Sequence, residues 1–191
     1  MSLITKSTPT GIDKKIDLFQ RAMFSSLIKV WGISESKYNC TPRCYRNQSK
    51  DGYTAEMFTG GIANGNDYEE LYINDQVSAT SFFGIGQEEN IQADGMMIAN
   101  IHLIFSVNLK EIKPLPAGQR NDEEVRIDVQ KILDHYGMAH GFLLTKQTTG
   151  IDKILNEYPG TRKDAGLKYK DMHPNFWFRF DMQCFYQPTI C

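Results

Sequence analysis

The stretch Ala99–Leu109 constrains the fold of this chain most strongly, because its residues alternate between apolar and polar. The odd-numbered positions are Ala99, Ile101, Leu103, Phe105, Val107 and Leu109. The even-numbered positions are Asn100, His102, Ile104, Ser106 and Asn108, among which Ile104 is the only large apolar residue. Alternation over this length, with β-branched and aromatic residues, predicts a strand that is buried on one face.

A second ribbon, Asn175–Tyr186, repeats the alternation near the end of the chain. One face carries Phe176, Phe178, Phe180, Met182, Cys184 and Tyr186. The other face carries Asn175, Trp177, Arg179, Asp181, Gln183 and Phe185. Strands of about eleven residues span roughly 35 Å. We therefore expect the two ribbons to lie side by side at the centre of a sheet.

Two segments have the apolar spacing of helices. The first begins at Thr10–Asp13, has apolar residues at three- and four-residue steps from Ile16 to Trp31, and ends at Gly32. The second is capped by Asn121 or Asp122 and ends at Gly137. Its apolar stripe consists of Val125, Val129, Ile132, Leu133 and Tyr136. A short third helix is predicted to begin at Thr149–Asp152 and to stop before Pro159.

The part of the chain between the first helix and the first ribbon, about residues 33 to 94, is predicted to be a long excursion. Turn signals at Thr41-Pro42, Asp51-Gly52 and Gly60-Gly61 separate short β-prone pieces at Tyr53–Phe58, Leu71–Ile73 and Ser81–Ile85, and Gln87–Asp94 is loop-like. The whole chain, residues 1–191, is then one α+β domain. Its mainly antiparallel sheet carries two main helices on one face.

Composition excludes some classes of protein. The formal charge of −2 lacks the basic excess of a nucleic-acid or anionic-membrane binder. No apolar run approaches the length of a membrane span, and the first residues lack the apolar core of a secretion signal. We therefore expect a cytoplasmic protein whose four cysteines are reduced thiols.

The polar face of the predicted sheet carries more apolar surface than solvent requires. Ile104, Trp177 and Phe185 stand among polar residues that include Arg179. This face would suit contact with another subunit, another sheet layer or a ligand. The alternative is that the 33–94 excursion covers it. The sequence leaves both open.

No catalytic motif of high specificity occurs. Cys40 and Cys44, with Cys184 and Cys191, could offer thiolates to zinc, but their spacing is not that of a zinc knuckle, so we favour free thiols. His135 and His140 lie on either side of Gly137, which makes them poor candidates for a shared metal. We predict no metal site and no cofactor.

The layout resembles that of the small tail-terminator and minor tail proteins of long-tailed bacteriophages and prophages. The segments that carry the resemblance are Gly11–Trp31, Ile98–Lys113, Asp122–Tyr136 and Asp171–Tyr186. The resemblance implies a non-enzymatic structural protein that caps or joins a phage tail, working as a homo-oligomeric ring together with other tail proteins. It places the protein in the virion or in the cytoplasm of a bacterial host.

A second hypothesis is a small-ligand-binding or hydrolytic domain that uses the polar face of the sheet. Its most suggestive groups are His102, Arg179, Asp171 and His173. Asp171 and His173 lie two residues apart before the last ribbon, where an acid–base pair is conceivable, although Pro174 also explains this stretch as a turn. We favour the structural hypothesis, because the sequence lacks catalytic motifs.

Overall fold

A computed structural model describes residues 3–48, 55–60, 68–70, 76–116, 119–150, 154 and 173–188. Two α-helices and seven strands lie within these ranges, in the order α1 (Gly11–Trp31), β1 (Tyr38–Gln48), β2 (Ala55–Gly60), β3 (Tyr68–Glu70), β4 (Ala79–Ile91), β5 (Met97–Asn108), α2 (Asp122–His140), β6 (Phe142–Thr149) and β7 (Asn175–Tyr186). The fold is α+β, as the sequence predicts.

The described strands form one sheet in the order β3-β2-β1-β4-β5-β7-β6. Of its neighbouring pairs, β1–β4 is parallel and the others are antiparallel. The predicted pairing of the two ribbons is confirmed: β5 and β7 keep one unbroken antiparallel register, from Met97 opposite Tyr186 to Asn108 opposite Asn175.

The main core lies between the sheet and the two helices. Ile16, Phe19, Met23 and Leu27 of α1 are fully buried, and the Phe19 ring meets the Phe83 ring edge to face at a centroid distance of 6.1 Å. Helix α2 contributes Val125, Val129, Ile132 and Leu133. The periodic stripes found in the sequence are therefore the faces that pack on the sheet, and their burial is the main favourable term in folding.

The described parts of the excursion contain longer strands than the sequence predicts. Strand β1 runs for eleven residues, straight through the predicted turn at Thr41-Pro42, so that prediction is wrong. The register of β1 against β4 shifts between Cys40 and Arg43, and such an irregularity accommodates a proline, which has no N–H to donate. Strand β4 continues to Ile91, so the predicted loop at 87–94 is also wrong over its first part. The piece predicted at Leu71–Ile73 lies outside the described residues.

Helix α2 does not end at Gly137 as predicted; it continues to His140, and Gly141 caps it in the left-handed conformation, with φ 83°. Gly137 is buried inside the helix, where a Cβ atom would lie 3.3 Å from the Phe142 carbonyl oxygen. The absent side chain thus lets α2 approach β6 closely.

Asn121, one of the two residues predicted to cap α2, occupies the N-cap position, but its side chain makes no capping hydrogen bond to the helix. Instead, the Asn121 amide donates to the carbonyl oxygens of Ile112 and Lys113 in the preceding loop. The residue therefore fixes the loop between β5 and α2.

Both helix-capping glycines have positive φ, yet replacing them by alanine should have unequal cost. A Cβ atom at Gly141 would lie 2.8 Å from the Phe185 carbonyl oxygen, whereas nothing lies within 4 Å of one at Gly32. We expect Gly32→Ala to lower the free energy of unfolding by about 1 kcal/mol, the cost of left-handed strain. Gly141→Ala should lower it by at least 1 kcal/mol more, because β7 must also shift. Urea denaturation measures both values, and equal losses would contradict this packing.

Candidate functional site

The register of β5 and β7 brings polar side chains together on the sheet face away from the helices. His102 lies directly opposite Asp181, and Ile104 lies opposite Arg179. Because side chains two residues apart share a face of a strand, these four project to the same side. Asp181 is also tied to β6, since the Thr145 hydroxyl donates to its backbone carbonyl oxygen at 2.9 Å.

The Asp181 carboxylate lies between an imidazole and a guanidinium. His102 Nδ1 lies 2.7 Å from Asp181 Oδ1. Arg179 Nε is also 2.7 Å from Oδ1, and the terminal nitrogen Nη2 donates to Oδ2 at 3.2 Å. The side chains of His102, Asp181 and Arg179 are only 17%, 15% and 4% exposed, so water screens this cluster weakly.

Two opposing effects set the pKa of Asp181. Partial burial raises the pKa, but the hydrogen bond with His102 and the positive charge of Arg179 outweigh it, so the pKa lies below its ordinary value of 3.8. The carboxylate is therefore ionised at neutral pH. Its contact with Nδ1 orients the imidazole in the way that a carboxylate orients the base of an acid–base pair.

The apolar members of this face are covered from within the chain. Ile104 is fully buried and Trp177 is 8% exposed. They form a second apolar cluster with Cys44, Phe82 and Ile154. Cys44 and Phe82 belong to the 33–94 excursion, whereas Ile154 comes from the segment after β6. At the start of that segment, the Gly150 N–H donates to the Trp177 carbonyl oxygen at 3.3 Å. Ile154 is helical, whereas the rest of the predicted third helix lies outside the described residues.

These contacts cover most of the residues that the sequence offered as candidates for contact with a partner. Ile104, Trp177 and Arg179 are already buried by their own chain, so their apolar surface does not require a partner. Phe185 remains partly exposed, and its backbone N–H donates to the Gly141 carbonyl oxygen at 2.8 Å. The sequence offered the 33–94 excursion as the cover; Cys44 and Phe82 of that part of the chain do pack with Ile104 and Trp177, but Ile154 comes from outside it.

The ligand-site candidates separate into two groups. His102 and Arg179 meet through Asp181, which the alternation assigned to the polar face but did not single out as a site residue. His173 is exposed and precedes β7, and about 20 Å of strand separates Asn175 from Asp181. Asp171 lies outside the described residues. The signal that could have found Asp181 is its position two residues from Arg179 on the same strand face.

The described cysteines do not gather around a metal site. Cys40 and Cys184 are buried in the main core, whereas Cys44 lies in the second cluster. Burial raises the pKa of Cys40 to about 12 and that of Cys184 to about 12, and it raises the pKa of Cys44 further. Such thiols are inert. Over the described ranges, no three His, Cys, Asp or Glu residues are placed to hold a metal ion; Cys191 lies outside them.

His135 and His140 lie in the same helix, α2, rather than on either side of its end. They are five residues apart, so they do not share a helix face. His140 contacts the Phe19 ring at a centroid distance of 6.3 Å, and His135 contacts Tyr136. Both histidines thus have aromatic neighbours.

The sequence matches no protein-family model and no curated protein. Among the described helices, none is long and apolar enough to cross a membrane.

The lowered pKa of Asp181 predicts a pH dependence of stability. The Asp181 carboxyl has a lower pKa in the folded state than in the unfolded chain. Its contribution to the free energy of unfolding is therefore complete above the pKa of the unfolded chain, about 3.8. The contribution is lost as the pH falls through the folded pKa. Asp181→Asn should cost about 3 kcal/mol at pH 7, because it removes a carboxylate from beside the buried guanidinium of Arg179.

The measurement is the free energy of unfolding of both proteins from pH 7 to pH 3. The difference between wild type and Asp181→Asn should shrink below about pH 4. Glu35→Gln, at an exposed position just before β1, serves as the control and should stay within about 0.5 kcal/mol of wild type. A difference for Asp181→Asn that does not change with pH contradicts the ionised cluster.

Proposed function

We propose that this chain is a structural, non-enzymatic protein of phage or prophage tail assembly, a tail terminator or tail-completion protein. It works by self-association into a ring that contacts other tail proteins, in the virion or in the bacterial cytoplasm. The order of a first helix, a sheet, a second helix on that sheet and a closing strand supports the proposal. The observation that carries it is the edge strand β6 of the described sheet.

Strand β6 forms one edge of the sheet. It pairs with β7 from Phe142 opposite Cys184 to Thr149 opposite Phe178. Within the described ranges no strand pairs with its other side. Leu143 is 47% exposed on this edge. A strand edge with unpaired backbone groups and an exposed leucine is a template for association with another chain.

The other end of the described sheet is strand β3, so the two edges differ in sequence and length. Contacts between two different surfaces are heterologous, and heterologous contacts generate rings when the rotation between copies closes. The unlike edge strands of the described sheet therefore support a cyclic assembly.

Leu143→Asp should weaken self-association. Burial of a leucine contributes about 1.5–3 kcal/mol, so its loss should raise the dissociation constant at least tenfold. Analytical ultracentrifugation over a range of protein concentrations measures the constant. Leu115→Asp is the matched control, because Leu115 is 43% exposed but lies in a loop, and it should leave the constant unchanged. A monomeric wild type, or equal effects of both variants, would overturn the proposal.

The alternative function is a small-ligand-binding or hydrolytic domain. The cluster of His102, Asp181 and Arg179 favours it, because an oriented imidazole beside a guanidinium can bind an anionic group or accept a proton. This alternative predicts a monomer in which Leu143→Asp has no effect, so the same experiment separates the two functions.

A further inference from the structure

Helix α1 exposes a narrow row of side chains on the side away from the sheet. Its members recur every three or four residues and are all exposed: Lys14, Leu18, Arg21, Ser25 and Lys29. We call this row the basic stripe. It contains three cations and no acid; Asp17, which binds Arg21 at 2.9 Å, lies beside the row and is largely buried. Leu18 is 47% exposed within it.

Helix α2 exposes a second row with the opposite balance of charge. Its members are Glu123, Ile127, Lys131, Asp134 and Met138, and Glu124 is exposed beside them. We call this row the acidic stripe. With Glu124 included, the acidic stripe contains three acidic residues and one lysine. Arg126, which lies beside the stripe, forms an ion pair with Glu123. Ile127 is 40% exposed and Met138 is 80% exposed.

Both stripes face away from the sheet. Each lies opposite the buried side of its helix, which packs on the sheet, and α1 and α2 contact each other side by side. Helices of 21 and 19 residues are about 30 Å long and about 10 Å wide each. The two together present roughly 600 Å² per copy, so a face-to-face pair would bury about 1,200 Å², the lower end for a specific interface.

We propose that the helix layer is an interface with a second copy of this chain, in which the basic stripe of one copy lies on the acidic stripe of the other. A two-fold axis that runs along the helices and between them places α1 over α2 of the partner, twice per interface. The opposite charges attract and fix the pairing, and the exposed apolar residues of the two stripes supply the buried contact. This interface rests on the proposed self-association, but it uses a different surface from β6.

The test separates this surface from the sheet edge by placing every variant in a Leu143→Asp background. One chain carries Lys14→Glu and Lys29→Glu, so both its stripes are acidic. A second chain carries Glu124→Lys and Asp134→Lys, so both its stripes are basic. Arg21 and Glu123 stay unchanged, because each already binds a neighbour on its own helix.

We expect the background protein to form dimers that weaken as salt is raised, because salt screens exposed charges. Each reversed chain alone should dimerise at least tenfold more weakly. An equimolar mixture of the two should form mixed dimers, seen by native mass spectrometry as the intermediate mass. Circular dichroism of each chain checks that it is folded.

The inference fails if the background protein is monomeric at every concentration, if the reversed chains dimerise as well as the background, or if the mixture forms no mixed dimer. The proposed function can fail while this interface stands, because wild-type oligomers that are unaffected by Leu143→Asp overturn assembly through the sheet edge, whereas dimers that the charge reversals weaken still support the helix layer. The two failures are therefore distinguishable.

Discussion

The unbroken register between β5 and β7 determines both faces of this fold. On the helix side it stacks the rings of Phe105 and Phe178 at a centroid distance of 4.9 Å. On the opposite side it places His102 against Asp181. A slip by one residue would carry every side chain of one strand to the other face. Such a slip would bring Asp181 into the core and Phe178 out of it, so burial and the charge pair enforce the same register.

The spacing of apolar residues along the chain predicted the helices and strands that have one buried face. Strand β7 has the predicted bounds, and α1 ends at Gly32 as predicted. The end of α2 was misplaced because Gly137 and Gly141 are both plausible caps, and only the approach of β6 shows why Gly137 is buried within the helix. Strand β1 was missed because its partner in the parallel pair, β4, is distant in sequence and because Pro42 indicates a turn.

The sequence predicted which residues share the face of the candidate site, but not which of them contact each other, because those contacts join distant segments. Alternation assigns His102, Arg179 and Asp181 to one face, but it does not give the register that joins them. The cover over Ile104 and Trp177 was equally hidden, because Ile154, one of the described residues that pack on them, comes from a distant part of the chain. The sequence therefore predicts which residues share one face of the sheet, whereas the contacts between distant segments determine which of those residues form a cluster.

Amide hydrogen exchange tests the central role of the β5–β7 register most directly. If the two strands form one cooperative unit, their amides in the shared ladder exchange with the same free energy, equal to that of global unfolding. Amides of β2 and β3, at the far edge of the sheet, exchange with a lower free energy. Different free energies for β5 and β7, or exchange of either strand before global unfolding, would contradict the account.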